Sequence, residues 1–425
     1  MKKVSVIRFS FLALLGVLLL NIGYAQKESG AQYTLVVEGF DWGAAASKAI
    51  LHMAEPVSEV KASDFEVSVQ RSSTCIPAGG PNTSGKRDIV YAYVSDAKGK
   101  RVAEGKYVTL NLEVGPYIGL DAPIQYFFSG GCNGNQWVDY KLTINHKGSE
   151  ASWNQEADRI IPLIDDYDLS GKFAFNDDIT LTYASFKPEK AKGKVPLIIW
   201  LHGGGEGGTD PSIVLLANRA ANYASPEIQA IFGGAHVLVP QSPTFWMQSA
   251  SGNYTRGNVN DIYNVSLMAL IKDYVKNNPA IDEKRVYVGG CSNGGYMTQK
   301  LLLQHPDYFA AAFPSALAYH AEFLSDADIK TLAGQSIWYI HSKDDPVTKA
   351  AATVTPTYQK LMSAGAKDVH LSMYDHVIDL YGLYGGENYH YNGHFSWIYS
   401  HRNHCEKEIK GKKVSVMEWL ASKKR

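Results

Sequence analysis

The most constraining feature of this chain is a Gly-x-Ser-x-Gly pentapeptide, Gly290 to Gly294, placed between a strand pattern and a helix pattern. Residues 285–289 are rich in β-branched and aromatic side chains, and residues 296–304 suit a helix. A strand that turns directly into a helix needs a sharp corner, and glycine tolerates strained backbone angles there at little steric cost. The pattern predicts that Ser292 stands at a sheet tip and a helix N-terminus, where negative charge is favoured. We interpret Ser292 as a nucleophile rather than as an incidental turn serine.

A second glycine-rich segment lies upstream. Residues 195–201 are continuously apolar, as is typical of a buried parallel strand, and residues 202–208 read His-Gly-Gly-Gly-Glu-Gly-Gly. Backbone without side chains just past a strand end leaves N–H groups free to bind a developing oxyanion. We therefore predict an oxyanion hole formed by the N–H groups of Gly204, Gly205 and Asn293. Taken alone, the segment would equally fit a flexible glycine loop.

A candidate acid follows the next strand pattern, over residues 336–341, where the chain opens into Asp344 and Asp345. A serine nucleophile of this kind needs a carboxylate that orients a histidine and stabilises its imidazolium form. The sequence favours Asp345, because the pattern strand-His-x-x-x-Asp-Pro-Val resembles the acid-bearing turn of many hydrolases. Asp344 is the alternative, since aspartate is also a common turn residue.

The candidate base must come from 13 histidines, five of them near the C-terminus. His394 is favoured, because it lies on a loop shortly before a closing amphipathic helix predicted over residues 414–422. His404 is the main alternative. Ser292, Asp345 and His394 together give a catalytic triad in the order Ser…Asp…His, which differs from the chymotrypsin and subtilisin orders.

These motifs together resemble the α/β-hydrolase superfamily. Residues from about 179 to 425 are similar to its secreted esterase and polyhydroxybutyrate-depolymerase-like branch. The whole chain resembles bacterial esterases that carry an immunoglobulin-like domain before the hydrolase. The resemblance implies a mostly parallel, doubly wound α/β sheet and a carboxylic ester substrate, such as acetyl or feruloyl esters of plant glycans. Prolyl-oligopeptidase-like serine peptidases share much of the pattern and remain an alternative, whereas a non-catalytic glycan-binding protein would need a broken triad.

The chain divides into an all-β part and an α/β part. Residues 26–146 contain strand patterns punctuated by Gly, Pro, Asn and Asp, which fits an immunoglobulin-like β-sandwich. A seven-bladed propeller of the peptidase type would need roughly 300 residues, so this part is too short for one. Residues 147–178, which begin with the polar stretch Lys147 to Glu156, are predicted to be a linker and entry segment, and residues 179–425, where strands alternate with helices, form the hydrolase domain. We expect the sandwich to brace or shade the hydrolase pocket.

The N-terminus predicts export. Residues 1–25 combine a positive start, an apolar core from Phe9 to Leu20 and small residues before Gln26, as in a cleaved signal peptide. That core is shorter than the roughly 20 residues that a spanning helix needs. We therefore expect a periplasmic or extracellular enzyme with no membrane association after cleavage. The net charge of −1 gives no reason to expect nucleic-acid binding, and no metal or cofactor motif is evident.

Four cysteines in an exported chain predict disulfides. Pairing within each domain gives Cys75–Cys132 and Cys291–Cys405, the simplest of three connectivities. The second bridge would tie the nucleophile turn to the loop of His404, an arrangement similar to that of tannase-like feruloyl esterases, and it is the main argument for His404 as the base. Alternatively, Cys291 is simply a small buried residue.

Several aromatic residues fall in predicted loops beyond strand ends, where this fold builds its pockets. They could stack on an aromatic or sugar substrate, or they could pack locally. The residues are Trp246, Tyr254, Tyr389, Tyr391 and Trp397.

Overall fold

The computed structural model describes residues 31–77, 79–129, 131–189 and 193–425. The predicted signal peptide, residues 1–25, lies outside these ranges. Within them, no helix is both long and apolar enough to cross a membrane. The described chain consists of an N-terminal part made of strands and a C-terminal part in which strands and helices alternate.

The N-terminal part contains ten strands. They are β1 (Ala31–Phe40), β2 (Gly43–Val57), β3 (Phe65–Ser72), β4 (Ser84–Arg87), β5 (Ile89–Ser95), β6 (Gly105–Leu112), β7 (Ile124–Ser129), β8 (Cys132–Trp137), β9 (Asp139–His146) and β10 (Ser152–Ile160). Eight of them form a sheet in the order β4-β3-β9-β10-β1-β2-β6-β5, and β7 and β8 form a separate hairpin.

The eight-stranded sheet folds into a sandwich. The groups β4-β3-β9 and β1-β2-β6-β5 are joined only by β10, whose first residues, Ser152 and Trp153, pair with β9 before the strand runs parallel to β1. Buried Arg87 on β4 donates to the carbonyl of Ala46 on β2 over 3.1 Å, although these strands lie far apart in the sheet order. The two groups therefore face each other, and the predicted β-sandwich is confirmed.

Residues 147–178, predicted to be a linker and entry segment, contain strands of both domains, so the linker part of this prediction is wrong. Its first half is β10, so the sandwich extends to Ile160. Its second half is β11 (Asp168–Ala174), the first strand of the hydrolase sheet. β10 looks like a linker in the sequence because Trp153 is its only buried side chain, and the others are mostly polar and all at least partly exposed.

The C-terminal part begins with β11 and is built around a second eight-stranded sheet. Its further strands are β12 (Thr180–Phe186), β13 (Val195–Leu201), β14 (His236–Gln241), β15 (Ile281–Cys291), β16 (Ala311–Ser315), β17 (Ile337–Ser342) and β18 (Val369–Tyr374), with short hairpins β19 (Val377–Ile378) with β20 (His390–Tyr391), and β21 (Glu406–Ile409) with β22 (Lys412–Ser415). The helices are α1 (Pro211–Leu216), α2 (Pro226–Phe232), α3 (Asn264–Asn277), α4 (Asn293–Gln304), α5 (Asp326–Ala333), α6 (Val354–Ser363), α7 (Trp397–His401) and α8 (Val416–Ala421).

The second sheet has the order β11-β12-β14-β13-β15-β16-β17-β18. Its first strands pair antiparallel, and β14 to β18 are parallel. Both faces are covered, because Ile198 and Trp200 of β13 belong to one apolar cluster, whereas Leu197 and Ile199 belong to another. A continuous apolar run is what such double covering requires. The doubly wound α/β-hydrolase fold is confirmed.

The cysteines behave differently in the two parts. Cys75 and Cys132 form the predicted disulfide, which ties the β7–β8 hairpin to the loop after β3. The predicted Cys291–Cys405 bridge is wrong, since both cysteines are free and buried. Cys291 ends β15, whereas the thiol of Cys405 contacts Ser372 on β18. Three strand spacings, about 14 Å, separate β15 from β18, well beyond the Cα separation that a disulfide tolerates.

Candidate active site

Ser292 occupies the sharp turn that its pentapeptide predicts. It joins β15 to α4 with a backbone φ of 54°, a value that residues other than glycine rarely adopt. A Cβ added at Gly294 would lie 1.9 Å from the carbonyl oxygen of Leu201, and one at Gly290 would lie 2.6 Å from the backbone of Gly294. Only glycine fits these two positions, so the tight packing of β13, β15 and α4 fixes the strained turn that presents Ser292.

The predicted oxyanion donors meet beside Ser292. Asn293 is the first residue of α4, and its side-chain oxygen accepts a hydrogen bond from the Met247 N–H over 2.9 Å. Gly204 and Gly205 lie in the loop after β13, and a Cβ at Gly204 would be 3.1 Å from the Asn293 side-chain nitrogen. Among the described residues, the N–H groups of these two glycines and of Asn293 have no acceptor. They are therefore available to bind a substrate oxygen.

Asp345 is buried and hydrogen-bonded to His394. The His394 Nδ1 atom lies 2.9 and 3.1 Å from the two carboxylate oxygens of Asp345. The N–H and hydroxyl of Thr348 and the N–H of Val347 also donate to Asp345, over 2.9, 2.6 and 2.8 Å. Burial acts to raise the pKa of Asp345, but the hydrogen bonds from His394 and Thr348 outweigh it and hold that pKa well below its ordinary value. Asp345 thus stays ionised and orients the imidazole.

The alternative candidates have other surroundings. The carboxylate of Asp344 lies 2.8 Å from the Nδ1 atom of His376. The side chain of His376 is 45% exposed. His404 is exposed, and its backbone N–H bonds to Tyr399. Without the Cys291–Cys405 bridge, nothing ties the His404 loop to the nucleophile turn.

Ser292 and His394 line one cavity of about 510 Å³, here called the His394 cavity. Gly204, Gly205 and Asn293 line it as well. No hydrogen bond joins the Ser292 hydroxyl to the His394 ring, although both residues belong to the described ranges. Such bonds are often long in empty active sites and shorten only when substrate is bound. The cavity therefore brings together Ser292, His394 and the three predicted oxyanion donors, and Asp345 bonds to His394 from outside its lining.

The N-terminal sandwich supplies one wall of the His394 cavity. Tyr126 and Phe128 of β7 and Asn135 of β8 line it. The Asn135 N–H donates to the carbonyl of Gly205 over 2.6 Å, and the Asn135 side chain donates to Glu206 over 3.0 Å. The hairpin thus holds the glycine loop from outside. Sequence reasoning missed these residues, because no local motif marks a contact between residues about 70 positions apart.

Glu206 is a buried carboxyl group in the same loop. It is only 4% exposed, and burial raises its pKa to about 7. The unfolded chain has the ordinary glutamate pKa of about 4.3 and therefore ionises first as the pH rises. Between about pH 4.3 and 7 the folded protein binds more protons than the unfolded chain, so its free energy of unfolding falls with rising pH.

We expect Glu206→Gln to remove this pH dependence. The free energy of unfolding of the wild type should fall from pH 5 to pH 8 by up to roughly 3 kcal/mol more than that of the variant. Urea denaturation at both pH values measures the difference. Glu227→Gln, at an exposed position of α2, is the matched control and should behave like wild type. Equal pH slopes for wild type and Glu206→Gln would contradict the assignment.

Two of the aromatic candidates reach the site. Tyr254 and Trp397 line the His394 cavity, and Tyr254 stacks on Phe245 at a ring distance of 4.0 Å. Trp246 is fully buried, whereas Tyr389 and Tyr391 pack against each other at 5.1 Å. The last three therefore pack locally. The described part of the chain holds no cluster of three or more His, Cys, Asp or Glu side chains suited to a metal.

Known protein families match one segment in each part of the chain. Residues 32–157 match the esterase Ig-like N-terminal domain, and residues 244–370 match the prolyl oligopeptidase family. Among solved structures, a thermostable esterase matches with a TM-score of 0.73 at 22% identity, over 92% of this chain and 99% of that chain. No curated protein matches the sequence.

Two other solved structures resemble smaller parts of the fold. An acylaminoacyl peptidase from Pyrococcus horikoshii has a TM-score of 0.38 at 17% identity, over 56% of this chain and 41% of its own. A poly(3-hydroxybutyrate) depolymerase from Bordetella parapertussis has a TM-score of 0.35 at 16% identity, over 48% and 83%.

The fold and the matched segments define a serine hydrolase of the α/β-hydrolase type. More narrowly, its N-terminal part is the immunoglobulin-like domain found in esterases, as the resemblance in the sequence implied.

Proposed function

We propose that this protein is an exported serine carboxylesterase that acts through Ser292, His394 and Asp345. The observation that carries the proposal is that His394, hydrogen-bonded to buried Asp345, lines one cavity with Ser292 and with the three residues whose N–H groups have no acceptor among the described residues. The esterase-type N-terminal domain favours an ester as the substrate. The disulfide between Cys75 and Cys132 fits an exported protein, since such bonds persist mainly in oxidising compartments.

The proposed reaction has two steps. His394 takes the Ser292 proton as the serine oxygen attacks the ester carbonyl, while ionised Asp345 stabilises the imidazolium. The N–H groups of Asn293, Gly204 and Gly205 bind the oxyanion until the alcohol leaves with the proton that His394 returns. Water, activated by His394, then attacks the acyl-enzyme, releases the carboxylic acid and restores Ser292.

A serine peptidase is the second candidate, because residues 244–370 match the prolyl oligopeptidase family. In place of a propeller, this chain carries a β-sandwich whose hairpin forms part of the cavity wall. The ring of Tyr126 on β7 would be 2.3 Å from a Cβ at Gly205, so this side chain narrows the His394 cavity beside the glycine loop. This narrowing favours a small ester, such as an acetyl or feruloyl ester of a glycan, over a peptide chain.

Hydrolysis of a substrate panel tests the choice. The panel contains short, medium and aromatic acyl esters of 4-nitrophenol together with a prolyl-peptide 4-nitroanilide. We expect turnover of the esters and none of the peptide, because the amide has the poorer leaving group and the larger body. Cleavage of the peptide at a comparable kcat/KM would instead assign the protein to the peptidases.

A further inference from the structure

A second cavity, of about 470 Å³, adjoins Ser292 and is here called the Arg256 cavity. It shares Tyr254, Ser292, Asn293 and Val347 with the His394 cavity, but His394 does not line it. Its volume lies within the range of small-molecule sites, about 300–1,000 Å³. Ser292 therefore stands between two spaces, and each could hold one side of an ester.

Basic side chains line the Arg256 cavity. Arg256, His320 and Lys349 contribute to its wall, and no carboxylate does. Within the described ranges, neither Arg256 nor Lys349 forms an ion pair. His320 contacts Glu322, which lies 3.4 Å from its ring but whose side chain is 68% exposed to solvent. Asp345 does not line the cavity, but it accepts hydrogen bonds from Val347 and Thr348 in the cavity wall. Arg256 and Lys349 therefore present positive charge beside the nucleophile that no ion pair within the described ranges offsets.

The backbone that carries these side chains is fixed. The Arg256 carbonyl accepts from the His320 N–H over 3.0 Å, and the Arg256 N–H donates to the side chain of Asn258 over 3.2 Å. The Lys349 carbonyl accepts from the Ala352 N–H over 2.9 Å. Three loops from the carboxyl end of the sheet thus hold the basic groups around one space.

The position of the histidine that protonates the leaving group decides which half of the ester enters the Arg256 cavity. The leaving oxygen receives its proton from the histidine, so the alcohol must lie on the side of His394. The acyl group then enters the Arg256 cavity, where the apolar side chains of Met247, Ala318 and Val347 also line the wall. We propose that the natural substrate is an ester whose acyl group carries a free carboxylate, such as a monoester of an aliphatic dicarboxylic acid. The proposal rests on the esterase function proposed above.

Paired esters test the proposal. Mono-4-nitrophenyl adipate and 4-nitrophenyl hexanoate differ only in whether the acyl chain ends in a carboxylate or a methyl group, and spontaneous hydrolysis is subtracted. We expect the wild type to show a kcat/KM ratio of about five or more in favour of adipate. The ratio should fall to about one in Arg256→Gln/Lys349→Gln and should decrease with added salt. Lys98→Gln, which removes an exposed charge from the sandwich, should leave the ratio unchanged.

The results that would overturn the acyl-carboxylate proposal differ from the result that would overturn the esterase proposal. A wild-type ratio at or below one, or a ratio that the double variant leaves unchanged, would overturn the acyl-carboxylate proposal while hexanoate hydrolysis still supports the esterase. A third pair, phenyl hexanoate and 4-carboxyphenyl hexanoate, moves the charge to the alcohol. A preference for that carboxylate, lost in the double variant, would place the anion on the wrong side and overturn the proposal. Absence of all ester hydrolysis would overturn both proposals.

Discussion

Replacement of Ser292 by alanine is expected to reduce kcat for 4-nitrophenyl esters by about 10⁶-fold, the scale of nucleophile loss in serine hydrolases. The Ser292 Oγ atom forms the ester bond of the acyl-enzyme, and no other described serine or cysteine lines the His394 cavity. Residual activity would come from the oxyanion donors and substrate binding alone. Initial rates with an active-site-titrated wild type as reference measure the effect.

The fold of this variant should be unchanged. Ser292 holds its strained φ because of the surrounding backbone, and alanine fits the same space. Matching circular dichroism and melting temperature would show this. Ser251→Ala, at an exposed loop position, serves as the control and should keep full activity. Turnover in Ser292→Ala within tenfold of wild type would reject the triad.

Replacement of His394 by alanine is expected to cost nearly as much, because the serine then has no base and the leaving alcohol has no acid. His404→Ala should remain within about twofold of wild type, since His404 is exposed and bonds only through its backbone. Both variants are compared with wild type through kcat/KM and through the pH profile. The dependence of kcat/KM on pH should be the same in His404→Ala as in wild type.

The reverse ranking would identify His404 as the base and would require the C-terminal loop to move in solution. Equal, small losses of kcat/KM in both variants would show that neither histidine is the catalytic base. The experiment therefore decides whether His394 or His404 is the base, a choice that the sequence left open.

The positions of the proposed catalytic residues could be predicted because their signals are local. The Ser292 turn, the glycine loop and the acid turn each follow an apolar strand within a few residues, and the parallel topology brings strand ends to one edge. The choice between Asp344 and Asp345 was less certain in the sequence. The structure separates them by their contacts, with His376 and His394 respectively.

The parts that sequence reasoning missed depend on distant contacts. β2, Gly43–Val57, is rich in alanine and has little intrinsic strand preference, yet it pairs on both sides with β1 and β6. β16, Ala311–Ser315, is short and contains a proline, but it is buried between β15 and β17. β10 appeared to be a linker for the same reason. In each case tertiary pairing overrides a weak local signal.

The contact between Asn135 and Gly205 has a consequence for when the enzyme becomes competent. The sandwich leaves the ribosome first and can fold as a unit, whereas the glycine loop, Ser292 and His394 follow in that order. His394 follows the glycine loop by about 190 residues, so the cavity is complete only after the later strands and loops have been made. The glycine loop then packs against a hairpin that has already folded. A chain that stops before His394 should therefore fold its sandwich, still lack the proposed catalytic base and remain inert towards esters.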